Sequence, residues 1–129
     1  MPVVSIDTSA NLGAEAAKFL DGASGVLSSA AGAPKEHIHI TLRCNQMMTW
    51  GSQLAGVDGA LHTAQIRVLV CPKAFSNEEK QFIVSGVGAL LSPFSPAART
   101  QFFFEHTGLE HLAIDGLLLP DLIARDAPK

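Results

Sequence analysis

An α+β domain made of two β-α-β units, forming a four-stranded sheet with two helices on one face, is the architecture this sequence predicts. Three observations lead there. Strand-like and helix-like stretches follow one another in the order β-α-β, β-α-β, each half running to roughly sixty of the 129 residues, the pattern of a split βαβ sheet. The strand-like stretches alternate with period two, so each has one side for a core and one left over. The chain is also 47% hydrophobic, more than a small monomer needs, and self-association is the direct way to hide the sheet face that no helix covers. A chain of this length is a single domain, 1–129, and buries roughly two-thirds of its unfolded surface.

The first strand runs from Pro2 through Val3, Val4, Ser5 and Ile6 to Thr8. Ser9, Ala10 and Asn11 offer capping groups. Leu12, Ala16, Phe19, Ala23, Val26, Leu27 and Ala30 then recur at helical spacing, with Glu15, Lys18 and Asp21 mostly on the other side. Gly32 and Pro34 stop this helix. From His37 to Cys44 the alternation returns: Ile38, Ile40 and Leu42 face one way, and His37, His39, Thr41 and Arg43 the other. Residues 46–59 carry Met47, Met48, Trp50 and several glycines and read as a loop or short hairpin. A third strand spans 60–70, with Leu61, Thr63, Gln65, Arg67 and Leu69 opposite His62, Ala64, Ile66, Val68 and Val70.

Pro72 ends that strand. Ser76-Asn77-Glu78-Glu79 matches a capping box, and the helix behind it places Phe82, Ile83, Val87, Leu90 and Leu91 on one stripe. Ser92-Pro93 and Ser95-Pro96 close the helix, and a fourth strand runs from Thr100 to His106. Beyond Gly108 lies a short apolar piece, Leu112-Ala113-Ile114, and residues 124–129 are polar enough to be disordered.

Net charge is −3 with the basic residues scattered, which argues against a nucleic-acid partner. No apolar run reaches the roughly 18 residues of a membrane span, and no basic n-region precedes an apolar stretch. The expectation is no membrane association and a cytoplasmic location, or release without a signal peptide. Cys44 and Cys71 lack a CxxC spacing and lie in strand-like stretches, as reduced, buried thiols do.

Pro2 is the residue with the most distinctive chemistry. An initiator Met before a small residue is normally trimmed, and a freed Pro2 would carry a secondary amine that no internal residue supplies. Its ordinary pKa lies near roughly 7.7–8.0, and apolar walls push such an amine toward neutrality. A base poised near the working pH suits proton transfer at carbon.

With Met1-Pro2, the Asp7-Thr8 strand end, Gly32-Ala33-Pro34, Gln46-Met47-Met48 with Trp50-Gly51, Leu61-His62-Thr63 and Ser95-Pro96 in this order over residues 1–106, the chain resembles the tautomerase superfamily. The branch it looks like is the one containing macrophage migration inhibitory factor and D-dopachrome tautomerase. The resemblance implies a homotrimer whose three sheets line a barrel, with a pocket beside each Pro2 at a subunit boundary. It implies keto–enol tautomerisation of an α-keto acid, phenylpyruvate- or dopachrome-like, with Pro2 as general base. Thr63 and Ala64 stand where the family's third-strand substrate contacts would be. Gln101 and Phe103 stand where a neighbour's tyrosine and asparagine would be. The family's Gly-Lys-Pro is Gly32-Ala33-Pro34 here, which leaves Lys35 as the nearby cation; the cytokine's Cys-x-x-Cys is absent. Trp50 and Phe103 supply an apolar wall, and a backbone N–H near Ala64 steadies an enolate oxygen.

No metal or organic cofactor is called for. His37 and His39 share a strand face but no further ligand follows at metal spacing, so the histidines read as surface or packing residues. Arg43 and Arg67 read as salt-bridged surface residues. Two other readings stand beside the tautomerase: a cytokine-like interaction protein with a receptor partner and a vestigial pocket, and a decarboxylase or hydratase in which Arg43 or Arg67 points at Pro2.

Overall fold

The computed structural model describes residues 2–127. Eight strands and three α-helices are present among them: β1 (Pro2–Thr8), α1 (Ala16–Ala31), β2 (His39–Arg43), β3 (Thr49–Trp50), β4 (Gln53–Leu54), β5 (Ala64–Val70), α2 (Asn77–Leu91), β6 (Thr100–His106), β7 (Ala113–Ile114), β8 (Leu117–Leu118) and α3 (Leu119–Asp126). The main sheet has the order β2-β1-β5-β6. β1 runs parallel to β2 and β5 parallel to β6, while β1 and β5 are antiparallel. Each β-α-β unit therefore contributes a parallel pair, and the two pairs join through β1 and β5, as the sequence predicts.

The period-two pattern decides the faces. Val4, Ile6 and Thr8 of β1 and Ala64, Ile66 and Val68 of β5 are buried under the helices. Phe19, Ala23 and Leu27 of α1 and Ile83, Val87 and Leu91 of α2 close that core at four-residue spacing. The helices pack antiparallel because β1 and β5 do, and small residues let them approach closely. A Cβ on Gly86 would lie 2.8 Å from Val26, and one on Gly22 would lie 3.0 Å from Leu90. Phe82 departs from the predicted stripe and is 50% exposed. It lies one residue, about 100° of helix rotation, from Ile83 and flanks Ser29 and Ala30 instead.

Local signals set most boundaries. Ser76 and Glu79 form the predicted capping box, with Glu79 N–H donating to Ser76 Oγ (3.1 Å) and Ser76 N–H to Glu79 Oε1 (2.8 Å). These bonds, the backbone one first, hold the Glu79 carboxyl below its ordinary value. Gly32 caps α1 in the left-handed region at φ 63°. The α1 start differs from expectation: a 3-10 turn, Gly13–Glu15, comes first, and Asn11 Oδ1 accepts from Gly13 N–H rather than capping the helix. The strand predicted over 60–70 begins only at Ala64: Ala60 N–H donates to the Val57 carbonyl, Gly56 N–H to the Leu61 carbonyl and Thr63 N–H to Ser9 Oγ, which commits residues 60–63 to loop contacts. Cys71 is buried and Cys44 half-buried.

The C-terminal region corrects the expectation of a disordered tail. After β6 comes a 3-10 turn, the two-residue hairpin β7–β8 and then α3, so residues 124–126 are helical; 128 and 129 lie outside the described residues. Asp115 (φ 57°) and Gly116 (φ 76°) both adopt the left-handed conformation a two-residue hairpin demands. Arg125 reaches from α3 to Asp115 Oδ2 at 3.2 Å and ties helix to turn.

Candidate functional site

Pro2 opens the central strand β1 and is among the largest fully buried side chains, under 2% exposed. It pairs with Val70 across β5, while its neighbour Val3 pairs with His39 on β2. By alternation Pro2 shares the helix-side face with Val4 and Ile6. The next partner of Val70 is His106 on β6. His106 Nε2 is hydrogen bonded to the carbonyl of Pro72. A cavity of about 170 Å³ opens beside this end of the sheet, lined by Val70, Cys71, Pro72, Lys73, Phe75 and Glu79 among others.

The other sequence-predicted residues lie elsewhere in the chain. Because β1 and β5 are antiparallel, Ala64 pairs with Thr8 and sits at the opposite end of the sheet from Pro2. Thr63 and Ala64 are buried there (2% and 0% exposed) and do not adjoin their own Pro2. The strand end beside Pro2 is Val70-Cys71, nearly seven residues, or about 20 Å, further along β5. This corrects the expected placement. Matching Leu61-His62-Thr63 as a motif located the strand but chose the end away from the Pro2 of the same chain.

Lys35 does lie in the turn that leads into β2 on the Pro2 side, but its Nζ is held 3.0 Å from Asp21 Oδ1 and lies over Gly25 of α1. Gln101 shares a cross-strand row with Gln65 and Asp7, and Phe103 shares one with Arg67 and Ser5. Both are exposed on the open sheet face, and neither reaches the Pro2 row of its own chain. Trp50, in the hairpin β3–β4, lies under the guanidinium of Arg99 at 5.1 Å. A single chain thus brings none of these side chains to Pro2.

The arginines are accounted for on the open face. Arg43 binds Asp7 through Nε (2.6 Å) and Nη2 (3.3 Å), and that pairing raises its already high pKa. Arg67 stacks on Phe103 (5.4 Å) and lies 3.8 Å from Glu105. Neither points at Pro2. Among the described residues there is no group of three or more His, Cys, Asp or Glu that could hold a metal ion, and no helix long and apolar enough to cross a membrane.

Sequence reasoning missed Val70 as the cross-strand partner of Pro2, with Cys71 next along the chain. The strand register that brings them there is long-range, and no local motif encodes it.

With this geometry in place, the comparisons with known proteins fall into two groups. No family model matches the sequence, and neither does any curated protein. Solved structures match over almost the whole chain. The macrophage migration inhibitory factor homologue of Prochlorococcus marinus superposes with a TM-score of 0.77 at 19% identity, covering 91% of this chain and 98% of that one. A fused 4-OT crystallised as an asymmetric trimer gives 0.75 at 15% identity, over 93% and 98%. Pt0534, inactivated by 2-oxo-3-pentynoate, gives 0.75 at 14%, over 95% and 99%. The chain has the fold of macrophage migration inhibitory factor and the tautomerase superfamily.

Proposed function

We propose that this protein is a tautomerase of α-keto acids that works as a homotrimer with Pro2, freed by removal of Met1, as general base. The observation that carries the reading is the position of Pro2: first residue of the central strand, buried, and paired with Val70 rather than with any charged group. Burial disfavours the ammonium form and favours a neutral secondary amine. That nitrogen removes a proton from the carbon beside the substrate carbonyl and delivers it to the oxygen, and the reverse transfer returns the keto form.

Two further observations support it. A neighbour with this fold is inactivated by 2-oxo-3-pentynoate, itself an α-keto acid. The open face of the sheet also exposes Val3 (40%) and Phe103 (41%), which a monomer would leave in water. In a closed ring the Thr8 end of one sheet meets the Pro2 end of the next, and only then do Gln101 and Phe103 come to a neighbour's Pro2 as sequence matching implies.

A second reading, an interaction protein with a receptor and a vestigial pocket, draws on one feature. Ala33 replaces the family lysine and Lys35 is turned onto Asp21, so no cation is held toward Pro2. The decarboxylase reading finds no support within one chain, where Arg43 pairs with Asp7 and Arg67 lies beside Glu105. Mass spectrometry of the N-terminus with a phenylpyruvate assay separates the remaining two. A trimmed, active protein whose rate vanishes in Pro2→Gly supports the enzyme; a rate that survives both Pro2→Gly and a retained Met1 ends it.

A further inference from the structure

We infer that the hollow between the start of α1 and the end of α2 binds an apolar α-amino acid as its zwitterion, held between Glu15 and Lys18. The hollow measures about 360 Å³, a volume that takes a small molecule with one ring. Phe19, Leu90 and Phe94 form its floor. Phe19 is only 3% exposed, and the other two pack against the same core. Ala89 and Pro93, both exposed, stand at the opening beside Glu15 and Lys18.

The backbone leaves this space open. The two helices are in close contact at Gly22, where a Cβ would lie 3.0 Å from Leu90. Toward the α1 start, α2 has come to its end. The N–H groups of Phe94 and Ser95 both donate to the Leu91 carbonyl (2.8 and 2.9 Å), which turns the chain out of the helix and fixes the Phe94 wall.

The charges at the rim select the ligand. Glu15 closes the 3-10 turn before α1 and Lys18 lies in its first turn, both exposed. Residues three apart on a helix are neighbours and commonly pair. Among the described residues, however, neither side chain has a hydrogen-bond or ion-pair partner. Asp21, the next acid along α1, is taken by Lys35 at 3.0 Å. A carboxylate and an ammonium, each unpaired over one apolar floor, complement a molecule that carries both charges and an apolar group. An α-amino acid with an aromatic or large aliphatic side chain is such a molecule. A simple acid or amine would satisfy one rim charge and meet the other as a like charge. No strand residue lines the hollow. Where three sheets line a barrel the helical layer faces away from it, so the site stays open in the proposed homotrimer. Its ligand does not depend on the chemistry proposed for Pro2.

The test is a titration of the full chain with phenylalanine, hydrocinnamate, phenethylamine and glycine, followed through the amide spectrum. Phenylalanine is expected to shift residues 15–19 and 89–94 together, with millimolar affinity. Hydrocinnamate and phenethylamine, each with one charge, should bind at least about threefold more weakly. Glycine, with no side chain to bury, should leave these residues unmoved. Lys18→Gln and Glu15→Gln replace exposed side chains and need no repacking. Lys18→Gln should weaken phenylalanine by about threefold or more without weakening phenethylamine. Glu15→Gln should weaken it as much without weakening hydrocinnamate. Shifts absent at about 20 mM, phenylalanine no tighter than the singly charged probes, or two variants that both bind as the parent does would overturn the site. Shifts confined to the surroundings of Val70 would overturn it as well, by placing the amino acid beside Pro2.

Discussion

At the Pro2 end of β1 the pairing partner is Val70 and the buried company is apolar, with Val4 and Ile38 in the same core. At the Thr8 end, one strand length away, side-chain hydroxyls bind backbone in a dense network. Thr8 Oγ1 donates to the Thr63 carbonyl (2.9 Å) and accepts from Ala10 N–H (3.1 Å). Thr63 Oγ1 donates to the Arg99 carbonyl (2.6 Å), and Ser95 Oγ and Thr100 Oγ1 lie 3.1 Å apart. The same strand thus ends in a dry setting suited to an amine base and begins its exit in a polar clasp that fixes three loops. Proposed chemistry at one end and connectivity at the other is a division that mutations can break separately.

The largest effect is expected at the dry end. Pro2→Gly keeps the fold but replaces the secondary amine and should lower phenylpyruvate turnover by about 10² or more, the usual worth of a positioned general base. Circular dichroism and urea unfolding should change little. A variant that keeps its rate would show that the burial of Pro2 is packing alone. Next in size is Thr8→Val at the clasp. It removes an acceptor from the Ala10 N–H in a fully buried setting (Thr8 is 0% exposed) and should cost about 1–3 kcal/mol in urea unfolding. Thr8→Ser, which retains the hydroxyl, should recover most of it. A Thr8→Val protein as stable as the parent would show that the clasp contributes nothing.

How much of this the sequence discloses follows from the range of the interactions involved. Period-two runs in residues 2–8, 39–43 and 64–70 display the sheet, and the Ser76–Glu79 box fixes the α2 start, because both depend on neighbours within a few residues. The site does not share that property. That Val70 rather than Ala64 lies against Pro2 depends on the antiparallel pairing of strands more than fifty residues apart, and the side chains alternate identically in either direction. Phe82 was misplaced by one helical position, which the broad apolar content of α2 conceals. The C-terminal hairpin was legible and overlooked: Asp115-Gly116 between Ala113-Ile114 and Leu117-Leu118 is the local signal of a two-residue turn.

A smaller effect, again near the dry end, comes from the α2 cap. Ser76→Ala removes the hydroxyl that accepts from Glu79 N–H and should cost about 1 kcal/mol. Because the folded protein holds the Glu79 carboxyl below its ordinary 4.5, it binds this proton less readily than the unfolded chain does. That contribution is fully present above the ordinary value and fades as pH falls through the lowered one. The variant should therefore lose part of this acid-side slope, so its deficit relative to the parent narrows on acidification. A deficit that stays constant from pH 7 to about pH 3 would detach Glu79 from the cap.

The smallest expected change tests which cation, if any, serves the Pro2 end. Lys35 is the nearest lysine by sequence matching, yet its ammonium lies against Asp21 in an ion pair whose side chains are 49% and 79% exposed. Solvent screens such a pair, so Lys35→Met should shift stability by less than about 1 kcal/mol. If the lysine stays on α1 during binding, KM for an α-keto acid should also remain within about twofold, and Asp21→Asn should be equally silent. The opposite outcome would be informative. A tenfold rise in KM in Lys35→Met, with kcat kept and with Asp21→Asn lowering KM, would mean that substrate draws the ammonium away from Asp21. The aspartate would then be a competitor for the lysine, and the Pro2 end would gain its charge only when a carboxylate arrives.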